Sequence, residues 1–321
     1  MSFLRKASFV LAMAGVGYLT GSRPGAAPEF GEWSEPRMLG ATINSAPSYG
    51  PAISRDGRTL YFTRGSGVGS NLVVSRRRSV EADWETPSNL GPPVNTPFTD
   101  MIPGLSRDEH YLFFTSDRPG SQSWDLWVSW RRHTFDPFGW QEPFNLGSGV
   151  NTEAQETTGS YWSNDESGLG VLFFASNRLY GGGTPPPGGL PAGHDIYVSH
   201  LLPDGTFGAA SRDTDLSTDF GGVLDFEGRP MVRFDGRELI FVSDRPGGEG
   251  AQDLWAATRD SADARWEPPV NLTAINSEAA ELHPYLSADG QALYFSRRIG
   301  GSPFLFISTR QGPGHRTGQH R

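Results

Sequence analysis

Five times along the chain the same run of residues returns: an aromatic opening W-x-x-P-x-x-L, an Asn-Ser/Thr pair, P-x-x-S, a turn, and an aromatic run. The lead aromatics are Trp33, Trp84, Trp140, Phe207 and Trp266, spaced by 51, 56, 67 and 59 residues. A repeat of this period is one supersecondary unit that cannot bury its own faces, so the copies must stack on each other. In the first copy Ile43-Asn44-Ser45 is followed by PAIS at Pro51–Ser54, Asp56-Gly57 and LYF at Leu60–Phe62. The second, third and fifth keep the pattern with Val94-Asn95-Thr96, Val150-Asn151-Thr152 and Ile275-Asn276-Ser277. The fourth is degraded: Phe207 stands for the tryptophan and Leu216-Ser217-Thr218 for the Asn pair. A last apolar segment closes each copy, beginning at Asn71, Asp125, Asp195, Asp253 and Phe304.

Each copy therefore offers four short strands. Strand a carries P-x-x-S, and an Asp-Gly turn suited to positive φ leads to the aromatic strand b. Strand c is the D-L-W segment. Strand d is W-x-x-P-x-x-L, whose proline lacks a ladder donor and belongs at a sheet edge. With 41 Gly, 25 Pro and no Cys, the composition suits many tight turns and excludes disulfides and thiolate chemistry. Five such units predict an all-β fold, a five-bladed propeller of four-stranded antiparallel blades. The repeats begin with a d strand and end after a c strand. Trp33–Leu39 is thus expected to complete the last blade and close the ring. Gly181–Gly193 (GGGTPPPGGLPAG) reads as a loop insertion in the third unit.

The runs S-R-D-G-R-x-L-Y-F-T at Ser54–Thr63 and S-D-R-P-G…D-L-W at Ser116–Trp127 and Ser243–Trp255 resemble the TolB-type, WD40-like (PD40) propeller family. The resemblance covers about residues 33–310. It implies the propeller fold and leaves function open, because such propellers serve as periplasmic binding proteins, surface-associated modules and occasionally enzymes. TolB itself differs by an extra amino-terminal domain and six blades. The W-x-x-P-x-x-L-G-x-x-I/V-N-S/T connector looks like copies found beside peptidoglycan-binding OmpA-like domains.

Residues 1–28 read as a secretory signal or an amino-terminal anchor. Met1–Lys6 is basic and Ala7–Leu19 is a thirteen-residue apolar run, short for a membrane span. Cleavage after Ser22 or Ala27 would leave residues 29–310 as the propeller and 311–321 as a disordered tail. A periplasmic or secreted location is expected, with membrane contact only through an uncleaved first segment. The chain has 27 basic and 36 acidic residues, net −9; without Arg5, Lys6 and Arg23 of that segment the balance is 24 to 36, or −12. Such an acidic surface repels phosphate backbones, so the expected partner is a protein or a cell-envelope glycan and not nucleic acid. A monomer is expected.

The d-to-a and b-to-c connections of a propeller share one face, at the channel mouth. Acids recur there three residues before the strand-a proline: Asp100, Glu227 and Glu281, with Ser48 in the first unit and Glu156 beside Thr157 in the third. Arg64, Arg118, Arg178, Arg245 and Arg297-Arg298 follow strand b on the same face. One reading is a mixed-charge ring that grips a polar ligand. The simpler one is a set of ion pairs that tie neighbouring blades together. Departures from the repeat point better to a ligand than regular positions do, which singles out Tyr49, Glu156, His283 and the loop after Tyr180. The ligand candidates are thus Tyr49, Asp100, Arg118, Glu156, Arg178, Glu227, Arg245, Glu281 and His283. Asp125, Asp195 and Asp253 are expected to be structural, pairing with the S-D/N-R arginines. The repeated tryptophans are expected between blades, and Trp162 toward the channel or the next blade.

No nucleophile elbow, zinc helix or phosphate loop occurs, and no metal or cofactor is expected. Asp213, Asp215 and Asp219 form only a loose likeness of a calcium loop. The preferred reading is a non-catalytic binding or interaction module. The alternative is a carbohydrate-active hydrolase or lyase using Glu156, Glu227 and Glu281, with Asp100 as a fourth carboxylate.

Overall fold

The computed structural model describes residues 30–65, 67–164, 168–178, 193–217 and 226–313. The candidate signal, the tip of the third-unit insertion and most of the tail lie outside these residues. Twenty strands form five four-stranded antiparallel sheets. Blade one comprises β2 (Ser48–Ile53), β3 (Thr59–Arg64), β4 (Asn71–Arg76) and β5 (Ser88–Asn89). Blade two comprises β6 (Asp100–Leu105), β7 (Tyr111–Ser116), β8 (Asp125–Trp130) and β9 (Phe144–Asn145). Blade three runs through β10 (Glu156–Ser163), β11 (Gly170–Ser176), β12 (Asp195–His200) and β13 (Ser211–Arg212). Blade four has β14 (Glu227–Val232), β15 (Glu238–Ser243), β16 (Asp253–Thr258) and β17 (Val270–Asn271). Blade five takes β18 (Glu281–Leu286), β19 (Ala292–Ile299) and β20 (Ser302–Thr309) from the end of the repeats and β1 (Arg37–Met38) from their beginning.

That last pairing closes the ring as the repeat order predicts. Arg37 faces Ile307 and Met38 faces Phe306 in antiparallel register. Leu39 N–H donates to Leu305 O at 2.9 Å, and Ser34 N–H to Thr309 O at 2.7 Å. Asn44 adds a clamp: its amide donates to Leu39 O and Leu305 O, and its Oδ1 accepts Leu305 N–H. Asn95, Asn151 and Asn276 grip the second residue of strand c in the same way at Leu72, Leu126 and Leu254. The Asn of the repeat is therefore a buried staple that feeds one blade into the next. The chain also stays pinned beyond residue 310, because Gly31 N–H donates to Gln311 O.

Each blade is covered on both faces by its neighbours, which is why strand b reads as a continuous apolar run. Leu60, Tyr61 and Phe62 are all fully buried, as are Leu112, Phe114, Leu172, Phe174, Leu239 and Phe241. Gly57, Gly236 and Gly290 hold φ near +70° in the a-to-b turns, and Glu109 takes the same left-handed conformation in blade two. The lead tryptophans sit at the blade margins under arginines that follow strand c. Arg77, Arg131, Arg259 and Arg310 lie 4.0–4.3 Å from the rings of Trp84, Trp140, Trp266 and Trp33. Trp162 faces the next blade and not the channel, with its indole N–H on Phe234 O at 3.0 Å.

Strand a differs from the expectation in one respect that positions the site. It starts three residues before the P-x-x-S proline and carries a β-bulge in all five blades. In blade one the register jumps from Tyr49–Thr63 to Ala52–Tyr61, so Gly50 and Pro51 share one partner residue. The proline is tolerated because the bulge leaves its missing N–H without a ladder role. The same bulge residue adopts φ between 53° and 58° in every blade: Gly50, Ile102, Thr158, Arg229 and His283, the third followed by Gly159 and the others by proline.

Candidate functional site

The acids at the mouth are built into the blades. Asp100, Glu156, Glu227 and Glu281 are each 0% exposed. Asp100 accepts Thr96 N–H at 2.7 Å, Thr96 Oγ1–H at 2.8 Å, Ser116 Oγ–H at 2.7 Å and Arg118 Nη2–H at 2.6 Å. Glu156 repeats this with Thr152, Ser176 and Arg178, and Glu281 with Ser277 and Arg297. Glu227 is held by Ser243 Oγ at 3.2 Å and Arg245 at 3.4 Å. Burial raises the pKa of Glu156 and Glu281, and pushes Glu227 up to about 7 against the pull of Arg245.

The arginines complete the same device. Arg118 donates to Val94 O, Arg178 to Val150 O, Arg245 to Leu216 O and Arg297 to Ile275 O, each on the loop arriving from the preceding blade. Arg64 makes the equivalent bond to Ile43 O at 2.8 Å although Ser48 replaces the acid. The guanidiniums of Arg118 and Arg245 also lie between aromatic rings, Phe114 with Trp127 and Phe241 with Trp255. Hence the regular arginines and acids pair inside one blade and reach the neighbour through its crossover loop. The expected pairing of strand-c aspartates with these arginines does not form, because strand a already supplies their acid. Asp195 instead binds Arg212 at 2.8 Å, Asp125 accepts the Asn145 amide at 2.8 Å, and Asp253 accepts Glu249 and Gly250 N–H groups.

Side chains that differ from blade to blade stand at the bulges. His283 is buried, its ring 5.2 Å from that of Tyr49, and its Nδ1 pairs with Ser296 Oγ at 2.8 Å. Tyr49 Oη–H points to Met101 Sδ at 3.6 Å, and Trp124 packs against Tyr49, Met101 and Ile102. Arg229 sits 4.9 Å over the Phe226 ring, and its Nη1 is buried with no hydrogen-bond partner among the described residues. Arg298 is exposed and has no ion-pair partner among those residues. Burial, with Arg229 and Arg298 adding repulsion, holds the His283 pKa well below its usual value. Burial and Arg229 lower His194, whose ring lies tilted 5.1 Å from that of Phe226, to about 4. Below this mouth the channel narrows to about 30 Å³ between Gly50, Ile102, Thr158 and His283, room for about one water. Gly104 contributes to the closure: a Cβ there would stand 2.5 Å from Gly159 O.

The sequence singles out Tyr49 and His283, and the structure brings them together. It passes over Arg229, His194 and Phe226, and counts Arg298 only among the regular arginines. Arg229 was legible by the same logic as His283, since the residues before the strand-a proline run Gly, Ile, Arg and His in the four copies that have it. The opposite face holds a larger open hollow of about 710 Å³ with Arg55, Arg76 and Arg78, where Asp56, Glu85 and Glu109 offset part of the charge. Among the described residues no cluster of His, Asp and Glu is placed to hold a metal ion. Of the loose calcium-like loop, Asp213 caps the Asp215 and Leu216 N–H groups and Asp215 pairs with Arg265, while Asp219 lies outside the described residues.

Known structures share this fold. A GH62 α-L-arabinofuranosidase catalytic domain from Coprinopsis cinerea aligns with a TM-score of 0.60 at 13% identity, over 88% of this chain and 98% of that one. A thermostable family-43 glycoside hydrolase gives 0.59 at 12% identity over 83% and 89%. An endo-arabinase from Bacteroides thetaiotaomicron gives 0.56 at 18% identity over 87% and 97%. A TolB from Acinetobacter baumannii aligns more loosely, at 0.45. No family model and no curated protein matches the sequence. The chain is a five-bladed β-propeller. At these identities the likeness is one of fold alone.

Proposed function

We infer that this chain is a non-catalytic binding module, periplasmic or secreted, whose d-to-a face meets a protein or a cell-envelope glycan. One observation carries this reading. The four carboxylates of the strand-a ring, Asp100, Glu156, Glu227 and Glu281, are fully buried, each within ion-pair distance of an arginine of its own blade. Glycoside hydrolysis needs two carboxyl groups that flank the scissile bond, one of them reaching water or the anomeric carbon. The groups left at the mouth are Arg229 and Arg298, with the half-buried Phe226 and the buried Tyr49–His283 pair packed beside them.

A hydrolase or lyase is the second reading. The fold likeness favours it, and so does the pKa of about 7 at Glu227, in the range of a general acid. Two measurements separate them. Tyr49→Ala and His283→Ala should abolish binding to purified envelope polysaccharide or protein ligands while the protein stays folded. A polysaccharide screen should give no turnover with wild type. Turnover lost on Glu227→Gln, Glu156→Gln or Glu281→Gln would establish the enzyme and remove the binding-module reading.

A further inference from the structure

Arg229 is costly to the fold in two ways. Its Nη1 is buried with no partner among the described residues, no carboxylate of those residues forms an ion pair with it, and Arg298 adds repulsion. Burial of an uncompensated cation is strongly unfavourable. Its backbone is also held at φ 53°, a conformation that strains a long side chain and suits glycine. Blade one has Gly50 at the same bulge, so the scaffold does not require an arginine. Native proteins keep strained, unsatisfied polar groups where a ligand satisfies them. Arg298, exposed on β19, adds a second guanidinium field to the same mouth.

Resting on the binding-module reading, we propose that Arg229 and Arg298 form an anion subsite for the carboxylate of a uronic-acid-containing glycan. A guanidinium matches the planar carboxylate by parallel N–H···O bonds. The half-buried ring of Phe226 beside Arg229 supplies an apolar surface next to the cation for a sugar ring. The channel below holds only about 30 Å³, so the glycan lies across the mouth and does not thread it. His194 and His283 stay neutral at pH 7 and leave the charge to the two arginines. Asp100, Glu156 and Glu281 are each paired with an arginine of their own blade, and Glu227 is buried beside Arg245.

The test titrates tri-galacturonate and neutral tri-galactoside into wild type, Arg229→Gly and Arg298→Gln by calorimetry, at low and high salt, with melting temperature measured in parallel. The expected result is binding of the uronate only, weakened by salt. Arg229→Gly should lose at least tenfold in affinity with an unchanged or raised melting temperature, and Arg298→Gln should lose severalfold. Equal binding of the neutral trimer, unchanged affinity of both variants, or a melting temperature lowered by several degrees in Arg229→Gly would each overturn the proposal. So would preference for tri-glutamate over the uronate, which would make the ligand an acidic peptide. If the uronate fails while Tyr49→Ala still abolishes binding of another ligand, the anion subsite falls and the mouth reading stands. If no interaction depends on Tyr49 or His283, both fall.

Discussion

Replacing Asp100 by Asn separates a scaffold acid from a ligand-binding one. Its carboxylate accepts four donors from Thr96, Ser116 and Arg118, and Arg118 is itself 5% exposed. An amide turns one oxygen into a donor facing other donors, and leaves a buried guanidinium without its counter-charge. Breaking a buried pair from one side costs about 3–5 kcal/mol. For a propeller of roughly 280 residues, unfolding entropy of about 2.1 cal/mol/K per residue gives near 0.6 kcal/mol per degree. Melting should therefore fall by about 5–8 °C, read by calorimetry. Arg118→Met alone should also destabilise, and the double variant should cost about 2 kcal/mol less than the two singles together, since it leaves no orphaned charge. A melting temperature within about 1 °C of wild type, combined with lost ligand binding, would refute the reasoning and return Asp100 to the site.

Two further outcomes follow from the fold and the mouth. Asn44→Ala removes three bonds from the ring closure at Leu39 and Leu305, and should cost about 2–4 kcal/mol. Hydrogen exchange should quicken first along β1 and β20, and uniform exchange across all blades would contradict the closure role. His194 has its pKa lowered to about 4, below the ordinary 6.5, by burial and then by Arg229. A base depressed in the folded state contributes no penalty above pH 6.5 and lowers stability as pH falls from there toward 4, by at most roughly 3 kcal/mol. The melting temperature of His194→Asn should therefore rise relative to wild type on acidification from pH 7 to 4. A gap independent of pH would show that His194 titrates normally.

The particular elements show how far a sequence can be read. The aromatic runs at Leu60–Phe62 and Leu293–Phe295 identify central strands because both of their faces are buried, and that property is local. The Asp-Gly turns are legible for the same reason, their positive φ being a single-residue preference. Glu109 marks the limit: nothing along the chain announces that it takes the left-handed turn position, which it holds with its carboxylate accepting Arg55 N–H of the preceding blade. Likewise the regular acids announce their recurrence but not their occupation, since Asp100 meets Arg118 only when strands β6 and β7 pair.

Repeat period, strand order and the displaced d strand belong to the chain alone, and they fix five blades and the join between Trp33–Leu39 and Phe304–Ser308 before any coordinates. They do so because hydrophobic alternation, turn preference and the order of elements are written residue by residue. Tertiary structure decided which charges face water. Ion pairing and desolvation depend on what other blades place within a few ångströms, and that paired the buried carboxylates with arginines while leaving the buried Arg229 Nη1 without a partner among the described residues.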